Sequence, residues 1–355
     1  MSAYICILTK TKKRMRKILL PVFLLIAVAS SAQDDTTDVI DYSQFGDAEG
    51  VKRYCTQKVL NQSPQRIISL GFESYGSFQM PGVKTSLLSS GGPINDFQVN
   101  NVSAIRAQLN IPVISTNKLI WQLGASYWGS QFNIESPGTN AFAKELNDNM
   151  LTTAGINTTI FKPLNEKNFL IFQASVDANG VFNSFSDINR NATTFSATAI
   201  YGWKTSEKNM IGTGIARTYR AGQLIYVPVL LWNKTFNDRW GMELLLPARG
   251  HIRYNFSTSN MIQAGFELEG NQFAMNIPNS LSNGVYLQRG ELKPRIMWDK
   301  KIGGFLWFNA QAGLRYNYRF DAMNEYDARK DSQLFFSSRL GNPIYFNFGL
   351  NFVSP

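Results

Sequence analysis

The sequence predicts an all-β protein, an antiparallel up-and-down barrel of about fourteen strands that crosses a membrane. Three observations lead there. Apolar and polar residues alternate with a period of two in segment after segment, the mark of strands with one apolar face. The links between those segments alternate between short polar turns and longer loops, as in outer-membrane barrels. Beyond residue 32 no run of apolar residues is long enough for a membrane helix; the longest, LIYVPVLLW at 224–232, contains a proline. Composition agrees. A mean hydropathy of −0.17 is too low for a bundle of membrane helices, and 13% aromatic residues favour strands and turns.

Residues 1–32 read as a secretory leader. Lys10, Lys12, Lys13, Arg14, Arg16 and Lys17 precede the apolar run ILLPVFLLIAVA at 18–29, which is too short to span a bilayer comfortably. Ser30 and Ala32 then supply the small residues of a cleavage site before Gln33, and Met15 could serve as the start. These six charges account for most of the formal +10. The basic balance therefore points to targeting, and no nucleic-acid partner is expected. Cys6 lies in the leader. Cys55 is left alone, so no internal disulfide and no cysteine-based metal site is expected.

Residues 33–64 are polar and irregular and read as a flexible periplasmic segment. The barrel is expected over 65–353. Its strands are predicted at 66–77, 102–113, 118–130, 149–161, 168–178, 193–204, 209–217, 223–234, 239–247, 250–256, 260–270, 285–298, 304–320 and 343–352. Twelve is the alternative count, because LLLPARG within 239–256 could be a bulged corner instead of a tight turn. Pro228 and Pro294 fall inside predicted strands and require a bulge or a gap in the ladder.

The pattern is clearest at 304–320. One face carries Leu306, Phe308, Ala310, Ala312, Leu314, Tyr316, Tyr318 and Phe320. The other carries Asn309, Gln311, Gly313, Arg315, Asn317 and Arg319. Such a strand is too long for an ordinary globular sheet and long enough for a tilted barrel wall. Aromatics such as Tyr127, Tyr201, Trp203 and Trp298 are placed to form girdles at the interfaces. Long links are expected at 131–148, 178–192, 270–284 and 321–333, and the short turns are assigned to the periplasmic side.

The last strand, NPIYFNFGLNF, resembles the C-terminal strand that the barrel assembly machinery reads, although VSP follows its final aromatic. With the leader and the hairpin series, it makes the chain similar to outer-membrane β-barrel proteins of Gram-negative bacteria. The stretches ELLLPARGHIRYNFS, AGFELEGNQF and WFNAQAGLRYNYRF resemble an uncharacterised barrel family known only as a domain of unknown function. That resemblance implies a fold over roughly 65–352, an outer-membrane location, and contact with lipid and the insertion machinery. It implies no activity.

With apolar faces toward lipid, the polar faces would line a lumen. The candidate lining residues are Glu73, Arg106, His251, Arg253, Glu267, Glu269, Glu291, Lys293, Arg295, Arg315 and Arg319, with Asp177 and Glu243 also on those faces. Opposite charges on neighbouring strands can form interior ion pairs that brace a narrow lumen, or they can line a solute pathway and set its selectivity. His251 is the only histidine. As a general base it would need a nucleophile beside it, and no GxSxG elbow occurs. Glu267 and Glu269 share a face, but glycoside hydrolysis needs carboxylates set a defined distance apart across a sugar. IGTGIA at 211–216 lacks the lysine and helix of a phosphate loop. No cofactor, metal site or enzymatic activity is expected. Two readings remain: a channel or small-solute transporter with a partly open lumen, and a structural barrel with a closed one. A barrel-borne hydrolase is the weaker alternative.

Overall fold

A computed structural model describes residues 53–82, 96–182, 188, 190–277, 284–329 and 334–354. The expected leader at 1–32, the first part of the segment expected at 33–64 and portions of four long loops lie outside them. The strands are β1 (Arg66–Tyr75), β2 (Phe78–Met80), β3 (Phe97–Thr116), β4 (Leu119–Glu135), β5 (Leu151–Pro163), β6 (Asn168–Val181), β7 (Thr193–Ser206), β8 (Asn209–Thr218) and β9 (Ile225–Thr235). They continue as β10 (Trp240–Leu246), β11 (Arg249–Ser257), β12 (Asn260–Met275), β13 (Val285–Gly303), β14 (Leu306–Leu314), β15 (Tyr316–Met323), β16 (Leu334–Ser337) and β17 (Ile344–Val353). One helix, α1 (Ala141–Asp148), stands between β4 and β5. The pairs β1/β2, β14/β15 and β16/β17 are each two pieces of one stave. The wall is therefore a closed antiparallel barrel of fourteen staves, sealed where Arg66–Tyr75 runs against Tyr345–Val353.

Period-two alternation sets which side chains face out. Leu70, Phe72, Ile105, Ile156, Ile252 and Phe348 project from the exterior and are each about half exposed or more. Tyr127, Tyr201, Trp203, Trp298, Tyr316 and Tyr318 accompany them. So extensive an apolar exterior is costly in water and suits a lipid bilayer with aromatic girdles.

The two prolines sit where the ladder is open. Pro294 faces the break between Leu314 and Tyr316. Pro228 lies beyond Leu230, the last β9 residue paired with β10. Inside, Gly265 packs where a Cβ would strike the Gly250 carbonyl, so the wall can turn sharply there only with glycine.

The 239–256 region forms a tight hairpin, not a bulged corner, with Pro247 and Ala248 at its turn. This hairpin is shorter than its neighbours. Above it β12 has lost its β11 partner, and Ala274 instead pairs in parallel with Gly180 of β6. The wall thus bypasses β7–β11 at the long-loop end, and the barrel narrows.

Inside the narrowed part the inner faces are apolar. Phe97, Val99, Phe132, Phe273, Leu287 and Phe320 are nearly fully buried in one core. The link at 131–148 contributes α1 to it. Asn140 caps the helix, its side chain accepting from the Ala143 N–H at 3.0 Å. Phe142, Ala143 and Leu146 form the buried stripe, with the Phe142 ring 4.7 Å from Phe336.

At the short-turn end residues 53–63 are docked against the rim, where a flexible segment was expected. The Cys55 N–H donates to Asn165 O at 3.1 Å and the Leu60 N–H to Glu207 O at 2.8 Å. Cys55 and Val59 pack against Phe161, Phe169 and Ile200 on the inner wall. The order has a physical source: apolar side chains inside β5–β9 need a cover, and this strap supplies it.

Candidate functional site

The charged side chains gather on the inner faces of β1, β3 and β10–β15, below the apolar core. Alternation delivers Glu73 from β1, Arg106 from β3, Glu269 from β12 and Lys293 from β13 to one place. Lys293 Nζ donates to Glu73 Oε1 at 2.8 Å, to Glu269 Oε2 at 2.7 Å and to the Tyr75 hydroxyl at 2.6 Å. Arg106 donates from Nε to Glu73 Oε2 and from Nη2 to Glu269 Oε2, both at 2.7 Å. Glu73 and Lys293 are almost wholly buried, and Arg106 keeps 35% of its side chain exposed. Two cations thus neutralise two carboxylates from staves that are not wall neighbours. The lattice crosses the interior and limits its width.

A second group lies under the apolar core. Arg289 and Glu291 form a two-bond pair at 2.9 and 2.6 Å, and Arg315 Nε stands 3.7 Å from Glu291 Oε1. The Arg289 guanidinium lies 4.5 Å over Trp128, and that of Arg315 lies 4.2 Å over Phe78. These cations rest against aromatic faces where water is scarce.

A third group lines β10–β13. Arg253 Nη1 donates to Glu243 Oε1 at 2.9 Å, and Arg295 Nη2 meets Glu267 Oε2 at 2.5 Å. The docked strap joins here, since Ser63 donates through its N–H and its hydroxyl to the Glu243 carboxylate. His251 is buried, with no hydrogen-bond partner for Nε2.

Arg319 departs from the expected placement. Arg319 pairs with Gly290 and Asn317 with Glu291, so Tyr318 is an extra residue in the strand. A β-bulge of this kind inverts the faces beyond it. Phe320 therefore turns inward to the apolar core, while Arg319 shares the outer face with Gln288 and donates to its Oε1 at 2.9 Å. Arg315, placed inward, is sealed in the second group.

One inward charged residue was missed by the sequence reading. Arg249 lies on the inner face of β11, two residues before His251 and directly across the ladder from Glu267. Its guanidinium is exposed and, among the described residues, has no hydrogen bond or ion pair. With the 247–250 turn unsettled, its face could not be assigned from sequence.

The chemistry of this interior is ionic. Glu267 is tied to Arg295, and Glu269 to both Arg106 and Lys293, so neither is set up as a protonated general acid. Among the described residues no group of His, Cys, Asp and Glu could hold a metal ion.

A family model described as "Domain of unknown function (DUF6268)" matches residues 98–353. No curated protein matches the chain. Among solved structures, an outer membrane channel of Pseudomonas putida F1 is 10% identical, with a TM-score of 0.38 over 82% of this chain and 97% of that one. The toluene transporter TodX of Pseudomonas putida is 11% identical, with a TM-score of 0.37 over 85% and 95%. A FadL homologue of Pseudomonas aeruginosa is 11% identical, with a TM-score of 0.39 over 81% and 90%.

Proposed function

This chain belongs to the family described as domain of unknown function DUF6268, and we propose that it is an outer-membrane barrel acting as a small-solute channel, closed in the conformation described here. The leader places it beyond the inner membrane, the apolar exterior suits lipid, and the short turns face the periplasm. The assembly machinery and outer-membrane lipid are its expected partners.

One observation carries the reading. Polar side chains inside the wall, Gln108 and Arg249 among them, remain exposed although they face the lumen. They line a chamber with room for water. Above it the apolar core and α1 close the way to the long-loop end, and an apolar constriction stops ions by excluding water. The strap at 53–63 covers part of the opposite end. The gate is therefore the helix and its core, and the chamber is the conducting part.

The ion lattice favours a second reading, a structural barrel that the charges brace shut. Conductance in a planar bilayer separates the two. The unaltered protein is expected to pass little current, and replacing 141–148 with a Gly-Ser linker is expected to give a steady ohmic current. A heat-modifiable barrel that stays silent after that replacement, and after removal of 53–63 as well, leaves the structural reading.

A further inference from the structure

The inner wall of β10–β13 carries Glu243, Glu267, Glu269, Glu291 and Asp299 beside its cations, and their ion pairs leave one arginine out. Arg253 is matched by Glu243 and Arg295 by Glu267. Arg249 is left over, exposed to the chamber; it stands across the ladder from Glu267 but, among the described residues, makes no hydrogen bond or ion pair. Beside it the buried His251 also has an unpartnered Nε2. Residues 249 and 251 are about 7 Å apart along one strand face. The exposed guanidinium can donate to an anion in the chamber, whereas His251 Nε2 is sealed in the wall.

The surface next to Arg249 changes character abruptly. Its ladder neighbour is Leu245, whose neighbour in turn is Leu231. Leu245, Val227 and Ile171 are only partly buried on that inner wall, so they keep apolar area to offer. A cation at the edge of an apolar surface, facing water, suits a ligand with one negative end and a compact hydrocarbon body.

Accepting the chamber reading above, we propose that Arg249 anchors a monoanionic apolar carboxylate inside the barrel. The carboxylate replaces water on the guanidinium, and the hydrocarbon lies against Leu245, Val227 and Ile171. The same arginine sets the anion preference of the opened channel, since Arg315 is sealed and Arg319 lies on the outer face.

Titration calorimetry tests the site on the full refolded barrel in non-ionic detergent. Sodium cyclohexanecarboxylate is expected to bind saturably and one to one, and its neutral amide at least about tenfold more weakly. Arg249→Gln is expected to reduce affinity for the acid about tenfold or more, and Arg249→Lys to keep most of it. Equal affinity for acid and amide overturns the proposal, as does the absence of saturable binding. That comparison uses unaltered protein, so it stands even if a variant does not fold. A barrel that conducts without α1 yet binds no carboxylate loses the site alone. One that binds the acid but never conducts loses the channel alone.

Discussion

Lys293 shows how much a single inward side chain carries. It donates to Glu73, Glu269 and Tyr75 and is buried to its tip. Removing it leaves two carboxylates with only Arg106 between them. Breaking a buried ion pair in this way costs about 3–5 kcal/mol. Lys293→Ala should therefore lower the urea midpoint of the refolded barrel markedly; a loss near zero would mean that water already shares the cluster. The outward positions obey a different rule. Ile156 is 68% exposed in the middle of β5, and Ile156→Arg should cost about 2–4 kcal/mol in a bilayer. Gln108→Arg, on an exposed inner position, should cost well under half of that. Asn309 is a poor control despite facing inward, because it is buried and donates to Asp299 at 2.8 Å. Equal losses at Ile156 and Gln108 would sever the alternation from the membrane.

Among the described residues, two elements that are not strands reach over the lumen. Helix α1 presents its apolar stripe because Phe142 and Leu146 are four residues apart, one above the other on the helix surface. The strap at 53–63 bends at 57–58 and turns at 60–61, and it is held by rim carbonyls and by Glu243. Cys55 makes the strap observable. Burial pushes its thiol above the usual range, with Lys204 opposing the shift, so the thiolate fraction near pH 8 is below that of a free cysteine. Maleimide labelling at that pH should be slow in the folded barrel. It should quicken in Ser63→Ala/Glu243→Gln, where the anchor at the strap's far end is gone. Rapid labelling of the unaltered barrel would show that the strap is not docked. The short β10–β11 hairpin also acts at this scale. By ending early, it forces β12 onto β6 and narrows the upper barrel.

At the scale of the molecule, the wall is a cylinder whose two halves differ inside. The short-turn half combines charged and exposed polar groups with the apolar inner wall of β5–β9 that the strap covers, and the long-loop half holds a larger apolar core. The leader read from residues 1–32 fits such a barrel and gives a test. The intact mass of protein extracted from the membrane fraction should correspond to a chain beginning at Gln33. A mass that retains residues before 30 would overturn the cleavage.

The sequence alone determined the barrel, favoured fourteen staves over twelve, and gave the face on which each residue of a regular strand sits. All three follow from local alternation and turn chemistry, which a linear reading captures. It also marked Pro228 and Pro294 as gaps in pairing. It could not show that Arg319 and Phe320 exchange faces, because one extra residue at Tyr318 is visible only against the partner strand. Nor could it show that 53–63 docks, that α1 fills the mouth, or that Arg249 lacks the partner its neighbours have. Only the tertiary structure decided whether the lumen is open, because closure depends on which distant side chains meet across the interior. Alternation sets the direction of a side chain. The register and curvature of the whole wall set what it meets.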